Sequence, residues 1–183
     1  MRAFNVLLTG LSAAGKTTLS LRLQELLIAS QIPCETLDGD VYRNIFSPEA
    51  GYTEKERNTY AKKILCISKL LNKHNVSCVL PLLSSRKEVR DYFRRELPNF
   101  IEVYVKCPIE VCIQRDPKGL YAKAKRGEEK NIVGIDIPYD EPQNPEIIVE
   151  TDKYDVDVCV EKIIEGIRKL NDIHLVALGQ SQE

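Results

Sequence analysis

Residues 10–17 read Gly10-Leu11-Ser12-Ala13-Ala14-Gly15-Lys16-Thr17 and fill every fixed position of the pattern G-x-x-x-x-G-K-[ST]. That spacing suits one task, holding a nucleotide polyphosphate. Glycines let successive backbone N–H groups wrap the phosphates, Lys16 brings a cation to the outer phosphates, and the Thr17 hydroxyl can reach a Mg²⁺ ion. Thr18 continues the run and joins the nucleotide-binding set. Further on, Leu37-Asp38-Gly39-Asp40 sets two carboxylates around a glycine. Phosphoryl transfer asks little covalent help of a protein; it needs positioning, charge stabilisation and a carboxylate that orients or deprotonates the attacking hydroxyl. A pair of this kind suits a base and a metal-organising acid; Asp38, at the strand end, is the candidate for that role and Asp40 joins the substrate-binding set, although Asp-Gly is also an ordinary turn signal.

Arg43 and Arg57 follow. Arginines near a phosphoryl-transfer site can clamp a second anionic substrate bidentately, and taken singly they are also common solvated helix charges. Tyr52 precedes Thr53, a good helix N-cap, so its ring suits either a hydrophobic staple or stacking on a base. The string Arg115-Asp116-Pro117-Lys118-Gly119-Leu120-Tyr121-Ala122-Lys123-Ala124-Lys125-Arg126-Gly127 combines cations with glycine hinges. It reads as a lid whose closure excludes water and steadies charge on the transferred group. A solvated basic helix is the alternative, since Glu128 and Glu129 partly neutralise the run.

The elements that must position these residues follow from hydrophobic pattern. Apolar runs at Phe4–Thr9, Cys34–Leu37, Val76–Leu83, Phe100–Val105 and Ile147–Glu150 suit buried parallel strands. Helical patterns at Lys16–Ser30, Glu54–Asn72, Arg86–Arg95, Ile109–Arg115 and Asp155–Leu170 lie between and after them. The alternation predicts an α/β fold, a doubly wound, mostly parallel sheet of about five strands with flanking helices. In such sheets function sits at the C-terminal strand ends, and three exits carry Gly10, Asp38 and Ser84. The polar segment 116–144 is the exception, a long insertion expected to lack regular structure and to serve function. One domain is expected over 1–175, with a tail at 176–183 that frays.

At 183 residues, 43% hydrophobic and 29% charged, the chain has the composition of a globular domain. A net charge of −1 gives no general pull towards nucleic acid or anionic lipid. No apolar run approaches membrane-spanning length. The first strand begins within a few residues of Met1, leaving no room for a leader, so a cytoplasmic location is expected. Six cysteines without a C-x-x-C pair read as buried apolar residues rather than a zinc cluster.

Together these residues resemble the adenylylsulfate kinase family, which moves the ATP γ-phosphate to the 3′-hydroxyl of adenylyl sulfate. The likeness spans about Val6 to Asp152. It rests on Leu8-Thr9-Gly10-Leu11-Ser12, on Leu37-Asp38-Gly39-Asp40 with Arg43 and Arg57, and on the lid string from Arg115 to Tyr121. Gly134-Ile135-Asp136, Pro138-Tyr139, Pro142, Asn144 and Pro145 extend it. The resemblance implies a phosphate-loop kinase fold with a lid insertion, ATP and Mg²⁺, nucleotide substrates and commonly a homodimer. It implies Asp38 as acid/base and Lys16 as catalytic cation. Arg43 and Arg57 would hold the sulfate nucleotide, Tyr52 would stack on its adenine, Arg115 would serve ATP, and Lys130 would lie in the lid. Ser84 matches the family's loop serine and could direct its hydroxyl to the acceptor; a strand-end ST-turn is the plain reading.

Three positions depart from the pattern, all on the acceptor side. Tyr60 stands where the family usually carries a substrate-binding Asn. Asn131-Ile132-Val133 replaces a second adenine-stacking aromatic, which makes Ile132 an aliphatic wall. Leu83-Ser84-Ser85-Arg86 is a residue shorter than Ile-Ser-Pro-Tyr-Arg and lacks its proline. The donor half is intact. A kinase of the same family acting on another nucleotide, such as cytidine diphosphoramidate, and a nucleotide-binding regulator without turnover are the rival readings.

Overall fold

A computed structural model describes residues 2–46 and 53–171. β1 (Asn5–Thr9), β2 (Cys34–Thr36), β3 (Ser77–Pro81), β4 (Phe100–Lys106) and β5 (Ile147–Glu150) form one sheet in the order β2-β3-β1-β4-β5. Every pairing is parallel, so the sheet is wholly rather than mostly so. All five residues of β1 are buried, as a central parallel strand covered on both faces requires.

Alternate β1 side chains feed two separate cores, the expected consequence of a two-residue period. Val6 and Leu8 join Leu19, Leu23 and Leu27 of α1 (Lys16–Ala29) and Val160, Ile163 and Ile167 of α7 (Val156–Asn171). Leu7 joins Ile64 of α3 (Glu54–Lys73), Leu80, and Phe93 of α4 (Lys87–Glu96) on the opposite face. Burying a Leu or Phe of this kind stabilises by about 1.5–3 kcal/mol each, which holds α1 and α3 against the strand whose end opens the phosphate loop.

Two helices lie outside the five expected helical patterns. α2 (Gly39–Phe46) starts directly after Asp38, whose carboxylate accepts from the Val41 N–H at 3.4 Å and whose carbonyl accepts from the Tyr42 N–H at 3.1 Å. The Asp-Gly pair that signals a turn is here a helix cap followed by the helix's first residue. α5 (Ile109–Arg115) matches its expected span, and α6 (Leu120–Lys125) then places regular structure inside the 116–144 insertion. Gly119, left-handed at φ 66°, precedes α6, and Asp116 accepts from the Ala122 N–H at 2.9 Å. Helix α3 carries a full capping box between Thr53 and Glu56. Among the described residues no helix is long and apolar enough to cross a membrane. The expected tail at 176–183 lies outside the described residues.

Candidate active site

β1 delivers the phosphate loop at the middle of the sheet, and the loop is fitted tightly to its neighbour. A Cβ added to Gly10 would sit 2.4 Å from the Val105 carbonyl oxygen on β4. Gly10→Ala should therefore destabilise the fold by about 1–3 kcal/mol, read as a lower denaturant midpoint with nucleotide absent. The turn closes through the Ala14 N–H to the Leu11 carbonyl at 3.2 Å, and Gly15 takes a left-handed φ of 96° at the start of α1. Ala14 is fully buried beneath it. Lys16 Nζ donates to the carbonyls of Gly10 and Leu11 at 2.9 and 2.7 Å, so its charge is held across the loop. The first turn of α1 adds the positive end of a helix dipole.

The exit of β2 meets this loop. Thr17 Oγ1 donates to Asp38 Oδ2 at 2.8 Å, linking residues 21 positions apart. A hydroxyl and a carboxylate beside a phosphate loop are hard oxygen donors, the type Mg²⁺ prefers when substrate phosphates and water complete its shell. Among the described residues no three His, Cys, Asp or Glu side chains gather as a metal cage. The donor set therefore fits Mg²⁺ carried with a polyphosphate, with Thr17 as the protein hydroxyl and Asp38 beside it.

The second half of the site lies beyond Asp38. Arg43, on α2, places its guanidinium carbon 4.7 Å from the centre of the Tyr60 ring. Arg57, on α3, donates to the Asn131 carbonyl at 2.8 Å and so joins that helix to the insertion. Ile132 and Val133 are both buried. A turn secured by the Ile132 N–H to Asp136 at 3.1 Å and the Gly134 N–H to the Ile137 carbonyl at 2.7 Å holds them there. Gly134 suits this turn, because a Cβ would lie 2.9 Å from Ile109 and 3.1 Å from Leu11.

Ser84 has a left-handed φ of 42° and its backbone is pinned from below. Arg90, only 3% exposed, donates to the Ser84 carbonyl at 2.8 Å and pairs with Glu102 of β4 at 2.8 Å. Arg94 also binds Glu102, at 3.0 Å, and Glu146 at 2.9 Å. Thr9 Oγ1 donates to the Leu83 carbonyl at 2.8 Å and lies 2.9 Å from the Tyr139 hydroxyl. Since Thr9 spends its one proton on Leu83, Tyr139 is the donor in the second contact. Burial pushes the Tyr139 phenol well above its ordinary range, which keeps that proton in place.

One cavity of about 1340 Å³ collects most of the expected residues. Ser12, Ala13, Gly15, Lys16, Thr17 and Thr18 line it on the phosphate side, with Arg115. Asp38 stands between, and Arg43, Arg57, Tyr60, Ser84 and Ile132 line the other side. Gly10, Leu11 and Ala14 support the loop without lining the cavity, and Lys130 is exposed outside its wall. Tyr52 and the side chain of Asp40 lie outside the described residues.

Sequence reading missed three supports. Thr151, after β5, donates to the Ala14 carbonyl at 2.9 Å, and its own carbonyl accepts from Arg115 at 2.6 Å. Nothing in its local sequence signals that clasp. Tyr121 donates to the Ser12 carbonyl at 3.1 Å, tying α6 to the phosphate loop, and burial raises its phenol pKa so that the proton stays. Arg90 was hidden in an ordinary amphipathic helix pattern.

Comparison with known proteins gives the family and the fold. A family model described as adenylylsulphate kinase matches residues 2–150. A probable adenylyl-sulfate kinase from Pyrococcus abyssi is 41% identical over 170 residues, covering 93% of this chain and 98% of that protein. An adenylyl-sulfate kinase from Synechococcus is 38% identical over 167 residues, covering 91% and 95%. Among solved structures, the Mycobacterium tuberculosis APS kinase CysC in complex with AMPPNP and APS superposes with a TM-score of 0.87 at 30% identity, covering 91% of this chain and 98% of that one.

Proposed function

The chain belongs to the adenylylsulphate kinase family, and we propose on that premise that its cavity moves the γ-phosphate of ATP to the 3′-hydroxyl of adenylyl sulfate. ADP and 3′-phosphoadenylyl sulfate are the products. The observation that carries this reading is the 2.8 Å contact of Thr17 with Asp38, which sets a carboxylate at the junction between the phosphate loop and the two-arginine half of the cavity.

Each residue then has a definite task. The loop amides and Lys16 bind the polyphosphate, and Arg115, steadied by Thr151, flanks the donor. Asp38 accepts or orients the acceptor's hydroxyl proton, a role that needs the carboxylate within hydrogen-bond reach of that hydroxyl. Arg43 and Arg57 hold the anionic group of the second nucleotide, with Tyr52 against its base, Ile132 opposite and Ser84 beside the hydroxyl. Asp40 and Lys130 complete the substrate-binding set. Mg²⁺, held with Thr17, would supply charge neutralisation between the phosphates. The insertion 116–144 acts as the lid, an idea supported by its ties to Ser12 through Tyr121 and to Arg57 through Asn131. Its closure would exclude water from the transferred group.

A homodimer of a single domain over 1–175, working in the cytoplasm, belongs to the same reading. Six free thiols support that compartment, since oxidising compartments favour disulfides.

Purified protein given ATP, Mg²⁺ and adenylyl sulfate should form 3′-phosphoadenylyl sulfate, and a chelator should stop it. Phosphorylation of cytidine diphosphoramidate with no turnover of adenylyl sulfate would replace the acceptor. ATP binding with no transfer to either would remove the enzyme reading.

A further inference from the structure

We propose that Tyr60 is a positioning residue for the acceptor: its ring is the platform that holds the Arg43 guanidinium in place over the second half of the cavity. The inference rests on the reading of Arg43 as an anion-binding arginine. Tyr60 is 5% exposed and packed with Ile64, Leu65, Leu80 and Leu82 in the core beneath α3, so its ring is fixed by the fold rather than by a ligand. Arg43 sits 4.7 Å from the ring centre, well inside the range of a cation–π contact. Both residues line the same cavity.

The helix that carries Arg43 makes such a platform necessary. α2 presents Val41 and Ile45 to solvent and enters the core through Tyr42 alone among the described hydrophobic side chains of that helix. Its beginning is tied to Asp38, five residues before Arg43, so a shift of α2 would move the guanidinium and the carboxylate together. An arginine side chain has many rotamers, and ordering one on substrate binding costs affinity. Contact with an aromatic ring fixes the orientation of a guanidinium at little rotamer cost, because its flat face can stack on the ring. Arg57 is ordered differently, by the Asn131 carbonyl at 2.8 Å. Arg43 thus meets a ring of the core, and Arg57 a carbonyl of the insertion.

The test is a kinetic comparison of Tyr60→Phe and Tyr60→Leu in the whole protein, using whichever of adenylyl sulfate or cytidine diphosphoramidate the wild type phosphorylates. Tyr60→Leu should raise the acceptor KM about tenfold, with the KM for ATP within about twofold of wild type. Tyr60→Phe should bring the acceptor KM back to within about twofold. In an Arg43→Ala background, Tyr60→Leu should add less than about twofold, because its effect passes through the missing guanidinium. An acceptor KM unchanged in Tyr60→Leu would overturn the inference alone, as would full additivity with Arg43→Ala. Equal losses in the Phe and Leu variants would assign the effect to the hydroxyl and overturn it too. Wild type that phosphorylates neither acceptor would remove the underlying reading, and the inference with it.

Discussion

Asp38→Asn should lower kcat by about 10²–10⁴-fold, the range lost with a general base, while the KM for ATP changes by no more than about threefold. Asparagine is the informative replacement because Asp38 has three tasks in this structure. It bonds Thr17, it caps α2, and in the proposed reaction it handles the proton of the attacking hydroxyl. Asparagine keeps one amide oxygen to accept from the Val41 N–H and turns its NH2 towards Thr17, whose hydroxyl can rotate to accept, so both contacts survive with the second reversed and the carboxylate chemistry is lost. Asp38→Ala should add a loss of about 1 kcal/mol from the missing cap, visible as a lower unfolding midpoint. Steady-state kinetics beside thermal unfolding separates these contributions. Parallel losses of turnover and ATP affinity in Asp38→Asn would mark the residue as structural.

Lys16→Ala should reduce kcat/KM for ATP by about 10²–10³-fold, the cost of removing one donor aimed at developing charge. The ammonium already lies across the loop on the Gly10 and Leu11 carbonyls, so the binding of a polyphosphate finds it positioned in advance. Arginine should restore little of the loss. Its planar fork cannot reproduce a compact cation held on two carbonyls in so short a loop. Measuring the variant's unfolding without nucleotide provides the control, since a folded, inactive protein assigns the loss to phosphate handling. Wild-type kcat/KM in Lys16→Ala would remove Lys16 from the proposed machinery.

Much of the scaffold was legible because its signals are local. The five strands are short apolar runs, and α1, α3, α4, α5 and α7 lie within a residue or so of the periodic segments that announced them. The departures are informative. α2 was concealed by Asp38-Gly39, a pair whose turn signal is the same whether a loop or a capped helix follows. α6 was concealed by length, since a six-residue helix shows too little period to separate it from a basic loop. The kinetic role of each site residue is a separate matter, which the substitutions at Lys16, Asp38 and Tyr60 address.

The sequence by itself determined the chemistry of the first ligand and the order of the layers. Both are written in contiguous residues: Gly10 to Thr17 specifies a polyphosphate loop, and the succession of strands and helices specifies a doubly wound sheet. Only the tertiary structure decided how the two halves of the cavity are braced. Thr9 meets Tyr139 across 130 positions, Thr151 meets Ala14 across 137, and Arg43 lies over Tyr60. The physical reason is the parallel sheet itself. Each crossover carries the chain through a helix before the next strand returns, so neighbours at the strand ends are remote in sequence and no local pattern pairs them.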